Sequence, residues 1–486
     1  MVSSIQDVRF PFAQCLTIGA VVGKLAYPRQ TRGAGDGFDS CGFSCMTHWP
    51  TLARLFVCTA ICVVLAELIG SVSIPLGGSY RITLLPFLWA LLIGAAWGIA
   101  SPNLPSVSRV DTSLQQFASV ALQFALLLFI AKLGLLVGGS LPKIVTAGWA
   151  LVFQEFGHFF GTAMVGLPIA LLLGIKREAI GATFSVGREP SLAIIGERYG
   201  MASPEGHGVL AEYVTGTVFG AVFISLFASL ITSLGIFHPN ALAMGAGMGS
   251  GSLMAAAASA ISAQQTPEMA KEVAAFAAAS NLITTTIGTY FTLFLSLPFT
   301  VWAYGVLEPS LGRSSGRSVA ESSGGDFLDA TKESQATEKF AVAQIISIWL
   351  GVGAIALAAN YIAFKTIPDS LTASGLAIIL LCVAIGYVVY KLTRSLVPSV
   401  LWVSLIAMAL TYPTMPYAAE IAELTGRINF LALATPVIAL AGLSIAKDLP
   451  VFRKLGWRIV VVSVAANAGT FIGGAFVAQL FMGNHP

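Results

Sequence analysis

Apolar residues run through this chain in blocks of about 20, long enough to cross a bilayer core of about 30 Å as helices. Short polar or charged stretches separate the blocks, and strict alternation is rare. Helices apolar on every side belong in lipid or deep in a membrane bundle. The pattern predicts spans near 54–75, 82–100, 116–138, 145–174, 179–199, 207–235, 241–263, 273–306, 340–364, 370–390, 395–412, 429–446 and 457–482. The fold class is therefore an all-α polytopic membrane protein of about 11–13 transmembrane segments. The count depends on whether 179–199 and 241–263 cross fully or are re-entrant.

Those two blocks are interrupted. Residues 181–200, GATFSVGREPSLAIIGERYG, combine glycines and Pro190 with Arg188, Glu189, Glu197 and Arg198. In 241–263, Gly245, Gly247, Gly249 and Gly251 alternate, with Ser250 and Ser252 between them. Glycine costs about 1 kcal/mol against Ala in a helix interior. A helix broken at membrane depth survives only where neighbours or water satisfy its freed backbone groups. Charge at such a depth marks a site.

Helix restarts at the breaks suit an anion, because free N–H groups and the positive end of the dipole face the gap. One restart is expected after Gly251. Another is expected at Pro190, giving the N–H groups of Ser191, Leu192 and Ala193 beside Arg188. The substrate-binding candidates are Arg188, Ser185, Ser191, Gly249, Ser250, Gly251 and Ser252, with Asn281 and Thr285 on the next span. Thr284 and Thr286 stand beside them. Ser185–Ser191 and Gly249–Ser252 are expected to approach one another near the midplane. Two alternatives stand beside this reading. Tight helix packing also favours Gly, Ala and Ser, and Arg188 and Glu189 could neutralise each other as a structural pair.

An internal repeat organises the chain. Residues 131–166 match 439–474 without a gap: Gly134-Leu135 on Gly442-Leu443, Leu141-Pro142 on Leu449-Pro450, Gly148-Trp149 on Gly456-Trp457, Gly161-Thr162 on Gly469-Thr470. The copies differ at Glu155 and His158, which become Ser463 and Ala466. Glu155 and His158 share a helix face, where a carboxylate beside an imidazole carries a proton or holds a cation. With Glu189 they are the ion-coupling candidates. An interhelical bond that only fixes packing is the alternative. Glu212 reads as interfacial, and Lys132 as a snorkelling residue.

Charge sets orientation and domains. Lys176, Arg177, Arg313, Arg317, Lys391, Arg394 and the basic run Lys447–Arg458 fall on one side of the alternation. By the positive-inside rule this side and the N-terminus are cytoplasmic. The first repeat copy then turns outside and the second inside, an inverted-topology repeat of the kind found in secondary transporters. The domains are a tail at 1–50, a first membrane half at 51–307 with both breaks, a cytoplasmic linker at 308–339, and a second half at 340–486. The tail is aperiodic, and Met46 reads as an alternative start. A bacterial inner-membrane location fits. The cysteines complete no ligand set, so no metal or cofactor is expected. HExxH and GxSxG motifs and a paired-Asp motif in a span are absent, which excludes those enzyme classes.

The runs SVGREPSLAIIGERYG (185–200), TGTVFGAVF (215–223), AMGAGMGSGSLMAAA (243–257) and FAAASNLITTTIG (276–288) resemble the CidB/LrgB family. Here Ser250-Gly251-Ser252 stands where that family has a His-bearing motif. The same runs are similar to the broken helices of the sodium/glutamate, citrate and bile-acid symporter folds. The whole chain most resembles a bacterial inner-membrane family of the DUF3100 type. The resemblance implies a transporter fold and leaves the substrate open.

These readings converge on a secondary transporter of a small, carboxylate-like organic anion coupled to H⁺ or Na⁺. The other function in view is a holin-like or envelope-regulating membrane protein without a dedicated substrate. The expected partners are the lipid bilayer, the anion and the ion, with nucleic acid excluded and homo-oligomerisation left open.

Overall fold

The computed structural model describes residues 49–77, 80–105, 108–200, 203–286, 288–312, 340–393, 399–447, 449 and 456–482. The expectations for the N-terminal tail, with Met46, and for linker residues 313–339 lie outside them.

Among the described residues eight helices are long and apolar enough to cross a bilayer. They are Trp49–Ile69, Thr112–Pro142, Trp149–Leu172, Pro204–Leu234, Val342–Phe364, Ser370–Leu392, Phe430–Lys447 and Trp457–Met482. The protein is an all-α polytopic membrane protein. In chain order α1 is Trp49–Ile69, α2 Pro86–Ala100, α3 Thr112–Ala147, α4 Trp149–Leu172, α5 Glu178–Thr183 and α6 Arg188–Arg198. Then α7 is Pro204–Leu234, with a π turn at Gly216–Gly220, followed by α8 Pro239–Ala246 and α9 Gly251–Ser262. Next come α10 Pro267–Thr286, α11 Gly288–Phe291, a π turn at Thr292–Ser296, and α12 Leu297–Leu311. The last group is α13 Val342–Phe364, α14 Ser370–Leu392, α15 Ser399–Leu410, α16 Ala418–Gly426, α17 Phe430–Ser444 and α18 Trp457–Met482.

One small sheet departs from the sequence expectation. Helix α1 stops at Gly70 (φ +72), and the next residues form strand β1, Val72–Gly77, antiparallel to β2, Tyr80–Leu84. The anticipated spans 54–75 and 82–100 are both shortened by this hairpin. Val72, Ile74, Ile82 and Thr83 are β-branched, which suits a pleated ribbon as well as a lipid-facing helix.

Both expected breaks are present, and both segments return to the side they left. Arg177 precedes α5 and Glu205 opens α7, yet their side chains pair at 2.6 Å. Lys176, in the same loop, pairs with Glu308 near the end of α12 at 2.8 Å. The entry and exit of α5–α6 therefore lie together. On the opposite side, Asn240 at the head of α8 reaches Glu272 near the head of α10 at 3.4 Å. Gln264, just after α9, donates to the Ser229 carbonyl late in α7 at 2.9 Å. The two broken segments are re-entrant hairpins from opposite sides, with α7 running one way between them and α10–α12 the other.

The two copies of the repeat pack on each other through α4 and α18. A Cβ on Gly157 would overlap the carbonyl of Gly473, and one on Gly161 the carbonyl of Gly469. A Cβ on Gly166 would lie 3.3 Å from that of Ala466, so the helices cross antiparallel. The contacts are reciprocal. Gly161 meets its own counterpart, Gly469. Gly166 meets the counterpart of His158, and His158 meets Gly474, the counterpart of Gly166, where a Cβ would stand 2.7 Å from the ring. This self-complementary pattern is what a local two-fold relation between the copies produces. Without side chains at the crossing the backbones come close enough for dense dispersion contact, the main attraction between helices in lipid.

Candidate functional site

The breaks meet. Gly249 has φ +63, a left-handed conformation that residues with a Cβ adopt at a cost, and a Cβ there would lie 3.3 Å from the Val186 carbonyl. Ser185–Ser191 and Gly249–Ser252 thus come together as expected. Each gap is held open by a later helix. Ser296 donates to the carbonyl of Phe184 at the end of α5. Ser280 donates to the Met244 carbonyl at 2.7 Å, and Asn281 Nδ2 to the Gly247 carbonyl at 2.9 Å. These bonds satisfy carbonyls that a continuous helix would have used itself.

A cavity of about 470 Å³ lies against this junction. Ser185, Gly187, Pro190, Gly249, Ser250, Gly251, Ser252, Asn281 and Thr285 line it, together with Thr284, His158 and Thr470. Tyr213 and Thr217 of α7 and Gln123 of α3 add neutral polar groups to a wall that also holds Leu122, Leu126 and Ile130. Most of the anticipated substrate residues are therefore brought to one place. The side chains of Arg188, Glu189 and Glu197 lie outside the described residues. Arg198 is exposed and stands apart from the cavity.

The helix starts are partly corrected. Helix α9 begins at Gly251, as expected, with Ser250 as its cap. Ser250 Oγ accepts from Leu253 N at 3.5 Å and its carbonyl from Met254 N at 3.0 Å. The N–H groups of Gly251 and Ser252 are left without an intrahelical acceptor at the cavity wall. Helix α6 begins at Arg188, two residues before Pro190, because Gly187 is extended (φ −73, ψ 115) and acts as the cap. Ser191 N donates to the Gly187 carbonyl at 3.2 Å, so it is not a free donor. The free N–H groups there belong to Arg188 and Glu189 instead of Ser191, Leu192 and Ala193. Ser191 is 2% exposed and its hydroxyl has no hydrogen-bond partner, but it is not among the residues that line the cavity.

Glu155 and His158 are joined through a residue that the sequence did not single out. Gln154 Nε2 donates to Glu155 Oε1 at 2.7 Å, and the His158 ring Nε2 bonds Gln154 Oε1. The ring therefore carries its proton on Nε2 when the Gln154 amide is oriented in this way. Thr284 of α10 also donates to Glu155 Oε1. Thr470 of α18 lies 3.4 Å from His158 Nδ1 and donates to its carbonyl at 2.8 Å. Glu155 is 1% exposed, and its Oε2 has no partner. That oxygen sits behind cavity-lining Gly288, where a Cβ would stand 3.1 Å away.

Two further polar residues depart from the sequence expectation. Glu212 is buried inside α7 rather than interfacial, with Ser463 Oγ at 3.3 Å and Asn467 Nδ2 at 3.4 Å from its Oε1. Ser463 is the repeat counterpart of Glu155. The carboxylate–hydroxyl couple thus recurs with its members exchanged: acid on α4 with hydroxyl on α10, hydroxyl on α18 with acid on α7. Lys132 is buried and donates to the Thr425 carbonyl at 2.6 Å, so it ties α3 to α16 instead of reaching a lipid headgroup. Among the described residues no group of His, Cys, Asp or Glu has a metal-binding arrangement.

A family model described as "Protein of unknown function (DUF3100)" matches residues 64–306, half of the chain and the half that holds both hairpins. No curated protein and no solved structure matches.

Proposed function

The chain belongs to the DUF3100 family, and on that premise we propose that it is a secondary active transporter of a small, carboxylate-like organic anion coupled to H⁺ or Na⁺. The observation that carries this reading is the meeting of two re-entrant hairpins, from opposite sides, at a cavity lined by neutral polar and apolar groups. The N–H groups of Gly251 and Ser252 and the N-terminus of α6 supply donors for a carboxylate. Arg188 provides the cationic group in this reading, and Glu155 and His158 hold the coupling ion, with Glu189 a further candidate.

The reciprocal contacts between α4 and α18 support an inverted repeat, in which one copy faces in while the other faces out. Alternating access then moves the hairpin-bearing bundle about a fixed site. We assign the protein to the bacterial inner membrane, with the N-terminus cytoplasmic. The purified protein is tested by a thermal-shift screen against mono-, di- and tricarboxylates. Stabilisation by a subset of acids, lost in Arg188→Ala while the unliganded melt is kept, supports the reading. Equal response to every acid, or to none, counts against it.

A further inference from the structure

Thr284 stands between the cavity and the buried acid. It lines the cavity, and its single hydroxyl proton is given to Glu155 Oε1. A hydroxyl can donate to one acceptor at a time. A carboxylate in the cavity, being an acceptor only, can engage Thr284 only by taking that proton from Glu155.

From this geometry we infer that Thr284 is the residue that couples anion binding to protonation of Glu155, making the coupling ion a proton and the transport a symport. The inference rests on the transporter reading for its anion, and it adds the ion and the sign of the coupling. A hydrogen bond donated to a carboxylate favours its charged form. When the anion withdraws Thr284, Glu155 keeps only Gln154 Nε2 as donor, and the neutral acid is favoured. The proton binds at Oε2, which has no partner, and leaves from the same atom. Binding of anion then raises proton affinity, and by linkage the proton raises anion affinity by the same factor. A sodium ion would need several oxygen ligands around Oε2. Oε2 has no hydrogen-bond partner, and a Cβ built on Gly288 beside it would meet the Thr284 methyl at 3.5 Å and the Phe159 ring at 3.7 Å, so the groups known on that side are carbon.

Other titratable groups on the packed elements do not join this contact. On α4 itself His158 is linked only through Gln154. Glu178 of α5 makes no hydrogen bond to Glu155, Gln154 or Thr284 among those of the described residues, and Tyr290 of α11 is half-exposed. Glu308 of α12 pairs with Lys176. The stretch of α10 facing α4, and residues 462–471 of α18, carry hydroxyls and amides but no ionisable side chain.

The test is a pH titration of the Glu155 carboxyl by infrared difference spectroscopy on full-length protein in liposomes. The C=O stretch of the protonated acid is assigned by its loss in Glu155→Gln. Thr284→Val should move the midpoint up by about one unit or more, the size of a hydrogen bond to a charged group. Thr284→Ser should restore it, which a merely structural role would not require. Replacing sodium with choline should leave the midpoint unchanged. A Glu155-dependent band that never appears, a midpoint unmoved by Thr284→Val, or one set by sodium overturns the inference. The two readings fail separately. Anion flux with an unmoved midpoint removes Thr284 coupling and keeps the transporter. A moved midpoint without flux of any acid keeps the proton site and removes the transporter.

Discussion

Gly161 and Gly469 hold the same place in the two copies of the repeat, and they touch each other where α4 crosses α18. The crossing also borders the cavity, since His158 and Thr470 beside it line the cavity wall. Glycine at this point is thus a packing requirement with a functional consequence: it sets how deeply the two halves interlock.

Substituting the crossing should weaken the fold. In Gly161→Ala the new methyl collides with the Gly469 backbone, which cannot rotate away. Overpacking of this kind costs about 1–3 kcal/mol. The apparent Tm in detergent should fall, and Gly157→Ala should behave likewise. Gly305→Ala is the control, because a Cβ there meets nothing within 4 Å. That variant should melt as wild type or slightly higher, since Gly to Ala in a helix gains about 0.4–1 kcal/mol.

The break in α8–α9 depends on Gly249. Its positive φ costs an L-residue about 1–2 kcal/mol, and its Cβ would press on the Val186 carbonyl. Gly249→Ala should separate the two hairpins, lowering ligand-induced thermal stabilisation more than the unliganded Tm. Equal losses of both would place Gly249 in general stability instead.

Sidedness distinguishes a hairpin from a crossing. On a cysteine-free background, Arg198→Cys should react with an impermeant maleimide from the same side as Lys176→Cys. Lys271→Cys and Ile236→Cys should react from the opposite side. Reaction of Arg198→Cys together with Lys271→Cys would mean that α5–α6 spans the membrane.

Asp369, the cap of α14, gives a pH dependence with a defined sign. The Thr372 N–H at 2.8 Å and its hydroxyl at 2.7 Å, with Arg427 at 3.2 Å, hold its carboxyl below the ordinary 3.8. A folded-state value below the unfolded one means that the stabilisation is present above about pH 4 and fades as pH falls through the folded value. The Tm difference between wild type and Asp369→Ala should therefore be constant near neutrality and shrink in acid. A difference that grows below about pH 4 would reverse the sign.

The breaks were legible in the sequence because glycine density and Pro190 oppose helix so strongly that no packing restores it. Their meeting was legible from the same composition, since two unwound stretches need a common partner. The start of α6 was misplaced because Gly187 caps the helix before Pro190 is reached. The hairpin at 72–84 was hidden because a β-branched apolar run reads as span and strand alike. Re-entrance depended on Arg177–Glu205 and Asn240–Glu272, pairs that join loops on either side of each hairpin. Hydropathy carries no such information. Glu212 was misread for a similar reason: Ser463 and Asn467, which shield it, come from the far end of the chain. Gln154 was overlooked because adjacent residues on a helix point apart, yet its long amide still spans from Glu155 to His158.

The cavity at the junction of the two hairpins is proposed to carry an organic anion across the membrane. Uptake of radiolabelled carboxylates into proteoliposomes, with an imposed pH or sodium gradient, tests it most directly. The account predicts saturable, gradient-driven uptake of a subset of acids, sharply reduced in Gly249→Ala and Arg188→Ala. Absence of uptake across the panel, or a non-saturable leak indifferent to both substitutions, would contradict it.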